Sequence, residues 1–285
     1  EQKAFMRQKV KEHYMDYAIE IYAGRTNSNL VTNTSNWGAV CNGSMLMWCL
    51  ATMDEEDAES DYTKAAKHLA ACTLQSIEAP IVKLYPSGTW NEGPSYFQYV
   101  LEYTTWAALS LTNSCGTDYG IFEYPGFMES INYVMYMQTT NGYFNLSETG
   151  EAGSKATLDA PEVFLAARLT NDDDLTAAWY NIKFNVIGKG AKTLDLLFYK
   201  PVDTTNLSFN YPLDRHFDGL EMEIMRSDWE SASGKAVCVT AGDWGSSSHF
   251  DMGNFSFDAL GVRWTRYPRT TVESYFTNPQ MDRTA

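Results

Sequence analysis

The chain has 285 residues, of which 44% are hydrophobic and 14% aromatic, and 36 acidic against 21 basic side chains give it a formal net charge of −15. This length and composition fit one large or two ordinary folded domains and exclude an intrinsically disordered chain. The negative charge argues against a nucleic-acid-binding protein, because phosphate backbones attract basic surfaces. The five cysteines include no Cys-x-x-Cys pair, which argues against a structural zinc site.

The first two thirds of the chain carry the apolar periodicity of helices. Apolar residues recur at three- and four-residue steps from Phe5 to Ile21, which marks one helical face. Turn-forming residues such as Asn141-Gly142 separate the later segments. The sequence predicts a helical domain over residues 1–205, with further helices at 43–53, 60–77, 95–112, 126–138, 160–170 and 174–187.

The pattern changes near residue 205. Residues 221–226 alternate between polar and apolar, Ala236–Thr240 has the composition of a buried strand, and residues 255–264 are typical of a hairpin. Helices followed by strands predict two packed units and not an alternating α/β sheet. We therefore predict that residues 206–285 form an antiparallel β-sandwich, of which this chain holds only the beginning.

Three segments share their residues and their order with a known family. They are Asn36–Gly43 (NWGAVCNG), Tyr85–Tyr96 (YPSGTWNEGPSY), and Ser246–Phe255 (SSSHFDMGNF) with the following DALG at 258–261. Together they resemble the heparinase II/III-like polysaccharide lyases, over about residues 30–265. The resemblance implies an α/α toroid of helical hairpins followed by an antiparallel β-sandwich, both incomplete in this chain.

The resemblance also implies a reaction, β-elimination on a uronic acid within a polysaccharide. A base removes the C5 proton, and the bond from C4 to the bridging oxygen breaks. This chemistry requires a group that neutralises the uronate carboxylate, a base, and an acid for the leaving oxygen. The implied partner is an acidic polysaccharide or oligosaccharide outside the cytoplasm, extracellular or periplasmic. We expect no nucleic-acid or membrane partner, and the remainder of a longer chain is a further expected partner.

Two of the matching segments supply candidate site residues. Tyr96 matches the family tyrosine that acts as acid, and in some members also as base, and a phenol can both give and take a proton. Asn42 matches the carboxylate-binding amide, with Asn36 as its rival, and the alternative role for Asn42 is a helix N-cap. Trp90 and Glu92 are candidates for contacts with the sugar, and structural roles in the loop are their alternative.

The third segment departs from the family pattern His-x-His-x-Asp. Ser247 stands where the family has its first, catalytic histidine, and His249 stands at the second, which often binds zinc. We retain His249 as a catalytic candidate, with a structural histidine as the alternative, and Ser247 as a substrate-binding candidate. The family's aspartate ligand falls at Tyr267, and a further histidine would fall beyond residue 285, so no metal or other cofactor is expected.

Two functions remain open at this point. The first is a lyase in which Tyr96 is both acid and base and Asn42 binds the carboxylate. The second is a catalytically degenerate, carbohydrate-binding relative, or an inactive fragment of a lyase. Four arginines are candidate contacts for sulfate or carboxylate groups, with surface salt bridges as their alternative role: Arg215, Arg226, Arg263 and Arg266.

Overall fold

A computed structural model of the chain describes residues 1–139, 141–144, 158–203, 211–231, 233–242 and 253–265. The helices in these residues are α1 (Gln2–Val10), α2 (Asp16–Tyr22), α3 (Asn36–Thr52), α4 (Asp61–Ser76), α5 (Glu78–Ile81), α6 (Pro94–Cys115), α7 (Ser130–Met137), α8 (Glu162–Thr170), α9 (Asp173–Tyr180) and α10 (Thr193–Phe198). A π-helical turn, Lys11–Met15, joins α1 to α2, and another, Asn181–Val186, extends α9. In the described part of the chain, no helix has the length and apolar character needed to cross a membrane.

The strands are β1 (Gln138–Thr139), β2 (Gly142–Tyr143), β3 (Asp214–Phe217), β4 (Met222–Arg226), β5 (Ala236–Thr240), β6 (Phe255–Ala259) and β7 (Val262–Arg263). Strands β1 and β2 lie between α7 and α8, and β3 to β7 follow the last helix, which confirms the predicted fold class. Strands β1 and β2 form a short hairpin, and the other five form one antiparallel sheet in the order β3-β4-β5-β6-β7. Met222, Ile224 and Cys238 are fully buried, because alternate residues of a strand point to the same face.

Contacts between residues divide the chain into two compact units. The first contains residues 1–83 and 99–127, and the second contains residues 84–98 and 128–285. The change from helices to strands falls between Phe198 and Asp214. The division into domains at 205 and 206 stays a prediction.

Helix α3 begins seven residues before the predicted position. Ser35 is extended and its side-chain oxygen accepts a hydrogen bond from the Trp37 amide at 3.3 Å, so Ser35 is the N-cap. Asn42 therefore lies inside the helix, and the alternative role of Asn42 as an N-cap is wrong. The start was missed because Gly38, a poor helix former, interrupts the apolar periodicity.

The first unit has a core and an open apolar surface. Met15, Leu46, Cys49 and Leu69 are fully buried where the helices pack together. The predicted face from Phe5 to Ile21 is mostly outside this core: Ala18 and Ile21 are buried, whereas Phe5, Met6, Tyr14 and Tyr17 are each more than half exposed. Residues of α2, α3 and the first π-helical turn line an apolar cavity of about 500 Å³.

The second unit contains a buried cluster of charged side chains. The Lys183 ammonium, which is 0% exposed, lies 2.6 Å from Asp159 Oδ1 and 2.5 Å from Asp195 Oδ1. Lys192, on the surface, reaches Asp159 Oδ2 at 2.6 Å, and its backbone N–H donates to Asp195 Oδ2 at 2.7 Å. The cluster links three separate segments of the unit: the one before α8, the second π-helical turn and the start of α10.

The cluster makes the stability of the protein depend on pH. Burial alone would raise the pKa of Asp159, but hydrogen bonds from Lys183 and Lys192 outweigh it and lower the pKa. Stability from a lowered carboxyl pKa is present above the unfolded value of about 4 and is lost as pH falls through the folded value. We therefore expect the free energy of unfolding to fall from about pH 5 downward.

Denaturant titrations at several pH values check this expectation. The Asp159→Asn protein has no carboxyl group at this position, so its stability should change less between pH 5 and pH 3 than that of the wild type. An equal loss of stability in both proteins over this window would contradict the assignment to Asp159.

Candidate functional site

The loop before Tyr96 contacts the rest of the second unit through its backbone and through the Ser87 side chain. Gly88 has a φ of +75°, and a Cβ atom added there would lie 2.1 Å from the Ser130 nitrogen. The Ser87 hydroxyl donates to the Asp218 carbonyl oxygen, and the Tyr133 hydroxyl donates to the Trp90 carbonyl oxygen at 3.4 Å. These contacts fix the chain just before α6 begins.

Replacement of Gly88 tests how strongly this loop depends on the close contact. Gly88→Ala should lower the free energy of unfolding by about 2–4 kcal/mol, because the methyl group meets backbone atoms and the positive φ is unfavourable. Gly188→Ala is the matched control: Gly188 has a φ of +73° and nothing within 4 Å of an added Cβ. It should cost about 1 kcal/mol. Equal losses in urea denaturation would contradict the close contact.

Tyr96 is the third residue of α6 and is partly exposed. The helix begins at Pro94, whose missing N–H and fixed φ suit the first helical position. Phe97 is fully buried and packs edge-on against Tyr133, with ring centroids 5.3 Å apart, which anchors the start of the helix. Among the described residues, none forms a hydrogen bond with the Tyr96 hydroxyl.

Trp90 and Glu92 interact with each other in the same loop. The Trp90 indole N–H donates to Glu92 Oε2 at 3.0 Å, and the Trp90 side chain is 1% exposed. Its ring faces therefore contact protein atoms, as in the structural role that the sequence left open. Glu92 is partly exposed and braces the loop. The contacts of these residues with a sugar remain predictions.

Asn42 lies in the first unit, and the protein itself occupies its amide. It is fully buried; Nδ2 donates to the Gly38 carbonyl at 2.8 Å and to the Leu30 carbonyl at 3.4 Å. Oδ1 accepts a hydrogen bond from the Tyr22 hydroxyl. Burial raises the pKa of Tyr22, so this phenol stays a donor at neutral pH. Asn36, six residues earlier on α3, is also buried and hydrogen-bonded, and it projects from another side of the helix.

Residues 246–252 of the third matching segment are outside the described residues, whereas its end, with the DALG at 258–261, lies in and next to β6. Ser247, His249 and Tyr267 are all outside the described residues, so their predicted roles are not addressed by the structure. Within the part of the chain that is described, no three His, Cys, Asp or Glu side chains come together as a metal site would require.

Several residues that shape the two units were not identified from the sequence. Tyr22 is the partner of Asn42, but it is one of 18 tyrosines in the chain and stands in no motif. Lys183 stands among apolar residues between Trp179 and Phe184, a position where a buried charge is unusual and points to an ion pair. Of the arginines singled out, Arg263 pairs with Asp258 at 2.7 Å.

Comparison of the chain with protein-family models finds no match, and comparison with curated proteins finds none. Among solved structures, the chain is similar to the crystal structure of Heparinase III, with a TM-score of 0.50 and 11% sequence identity. The shared feature is the fold. The similarity covers 84% of this chain and 36% of that chain, so the chain spans about a third of the length of the heparinase. At this identity it supports helices followed by antiparallel strands, consistent with a helical toroid and a β segment.

Proposed function

We propose that this chain is part of a polysaccharide lyase that cleaves a uronic-acid-containing polysaccharide by β-elimination. The observation that carries the proposal is the Tyr96 hydroxyl: it is at the start of α6, in the motif that resembles the lyases, and has no hydrogen-bond partner among the described residues. The fold shared with Heparinase III supports the same conclusion. The proposed substrate is an acidic polysaccharide or oligosaccharide, and the proposed location is therefore outside the cell or in the periplasm.

The proposed reaction uses Tyr96 as both base and acid. The ionised phenol oxygen removes the C5 proton of the uronate, and the electron pair of that bond forms the C4–C5 double bond. The bond from C4 to the bridging oxygen breaks, and this oxygen receives the proton from Tyr96. The phenol is thereby ionised again, and one group serves both steps.

Asn42 is the proposed carboxylate-binding amide. An N–H donor aimed at the carboxylate disperses the negative charge that develops when the C5 proton leaves. The donor bond from Nδ2 to the Leu30 carbonyl is long, at 3.4 Å, and is the one that a substrate carboxylate would replace. This exchange requires the 3-10 turn at Leu30–Thr32 to move, because Asn42 is fully buried.

Incubation with uronate-containing polymers tests the function. Alginate, heparin, heparan sulfate, chondroitin and hyaluronan are each mixed with the protein, and the ultraviolet absorbance of the unsaturated product is followed. At least one polymer should be cleaved, whereas dextran, which has no uronic acid, should not. Absence of product from all five polymers would overturn the proposal.

A carbohydrate-binding protein without catalysis is the second candidate. The observation that favours it is the occupied, buried amide of Asn42, together with Ser247 at the position of a family histidine. Binding of one of the five polymers, measured by calorimetry, in the absence of any unsaturated product would establish this candidate over the lyase. Cleavage that is lost in Asn42→Ala while the fold is retained would establish the lyase.

A further inference from the structure

A small polar cavity lies in the second unit, beside β1, the end of β4 and the turn that leads to β5. Its volume is about 30 Å³. About 10–15 Å³ is enough for one water molecule, so the space suits one or two waters or an ion the size of chloride. Its ionisable and amide lining residues are Gln138, Arg226, Asp228, Lys235 and Asp258.

Gln138 presents an amide that the described residues do not satisfy. The side chain is 2% exposed, and neither Nε2 nor Oε1 has a hydrogen-bond partner. A buried amide without hydrogen-bond partners destabilises a fold, so native proteins normally supply a partner, such as another protein group, an ordered water molecule or an ion. The molecule or ion that occupies the cavity must therefore accept a hydrogen bond from Gln138 Nε2.

Arg226 presents a second unsatisfied donor to the same cavity. Its guanidinium lies 3.8 Å from the centre of the Trp229 ring, and Nη2 donates to the Tyr136 carbonyl at 2.6 Å. Nε is buried without a partner, and among the described residues no carboxylate oxygen lies within 4.0 Å of the guanidinium. Burial lowers the pKa of Arg226 to about 10, so the group is still charged at neutral pH.

The charged groups around the cavity differ in how they are compensated. Arg263 neutralises Asp258 at 2.7 Å, and Asp228 is the one remaining negative charge in the lining. Asp228 already accepts hydrogen bonds from the Ser231 amide at 2.5 Å and the Ser227 hydroxyl at 2.9 Å. The two positive groups of the lining differ: Lys235 is exposed to solvent, whereas Arg226 is half-buried and forms no ion pair with a described residue.

We infer that this cavity binds one small monovalent anion, either chloride or a carboxylate group. The anion accepts hydrogen bonds from Gln138 Nε2 and Arg226 Nε and pairs with the charge of the Arg226 guanidinium. A water molecule beside it can donate to Gln138 Oε1, which fits the size of the cavity. The predicted site is independent of the lyase proposal, because it uses neither Tyr96 nor Asn42.

The line width of the ³⁵Cl resonance tests this inference on the full chain. Wild-type protein should broaden the chloride signal in a saturable way, and formate should reverse the broadening if the two anions share the site. Gln138→Met keeps the length of the side chain and removes the amide, and should weaken binding at least about tenfold, the effect of about 1.4 kcal/mol. Gln75→Met, at an exposed position of α4, is the matched control and should bind as the wild type does.

A second measurement uses only the wild type, in case the variant does not fold. Crystals grown in sodium bromide should show an anomalous bromide peak within hydrogen-bond distance of Gln138 Nε2 and Arg226 Nε. Three results would each overturn the inference. The cavity could hold water alone, bromide could bind as an adventitious ion only, at other surfaces, or folded Gln138→Met could bind chloride as well as the wild type does. A bromide peak in the cavity that formate displaces would establish it for both anions.

Discussion

Tyr96→Phe should reduce turnover of a cleaved uronate polymer by about 10²–10⁴-fold, because the substitution removes the one oxygen that transfers the proton in both steps. The stability of the folded protein should hardly change. The lost hydroxyl forms no hydrogen bond with a described residue, and the aromatic ring is retained. Initial rates of product absorbance and a urea denaturation curve on the same preparation check both parts of this prediction.

Tyr99→Phe is the control for this change. Tyr99 is on the same helix and is 47% exposed, but it lies outside the motif that resembles the lyases. Removal of the Tyr99 hydroxyl should leave turnover within about twofold of the wild type, since surface substitutions away from a site have little effect. If Tyr96→Phe retains wild-type turnover on a polymer that the wild type cleaves, Tyr96 is not the acid and base.

Lys183→Met should lower the free energy of unfolding by about 3–5 kcal/mol, the typical result of removing one partner from a buried ion pair. The methionine fills a similar volume, but Asp159 and Asp195 lose the cation that lies between them. The two carboxylates then lie close together without a positive charge between them. The site is buried, because the Lys183 side chain is 0% exposed in the wild type. Urea denaturation followed by circular dichroism measures the loss.

Lys200→Met provides the comparison, because Lys200 pairs with Asp173 at 2.9 Å and is 40% exposed. It should cost no more than about 1 kcal/mol, as surface pairs contribute little. Adding Asp195→Asn to Lys183→Met should cost less than the sum of the two single changes, since both remove the same interaction. A Lys183→Met protein as stable as Lys200→Met would show that the cluster does not hold the unit together.

The sequence predicted the elements best where local signals agree. Helix α4 was expected at 60–77 and spans Asp61–Ser76, because Ser60 caps a regular apolar period and its hydroxyl accepts from the Thr63 amide at 3.1 Å. Strand β5 was expected at its observed position because its residues have high β propensity. The start of α3 was missed because Gly38, a poor helix former, interrupts the apolar periodicity of its first turn.

The surroundings of the site residues could not be predicted in the same way. The Trp90 carbonyl accepts a hydrogen bond from Tyr133, which is 43 residues further along the chain. Asn42 is satisfied because Tyr22 and Leu30 approach it from outside its helix. Such contacts depend on how elements pack, whereas a motif records only which residues stand next to one another in the chain. A motif singles out Tyr96, but it does not predict that no described residue forms a hydrogen bond with the Tyr96 hydroxyl.

The apolar cavity of the first unit affects how the folded protein will behave in the laboratory. With a volume of about 500 Å³ and the exposed rings of Tyr14 and Tyr17 beside it, the cavity offers the kind of surface to which hydrophobic fluorescent dyes bind. Such a dye should already be fluorescent with the native protein, so a rise in fluorescence on heating would not report unfolding. Circular dichroism is the readout that this surface does not disturb, and a bright dye signal would be no sign of a misfolded preparation.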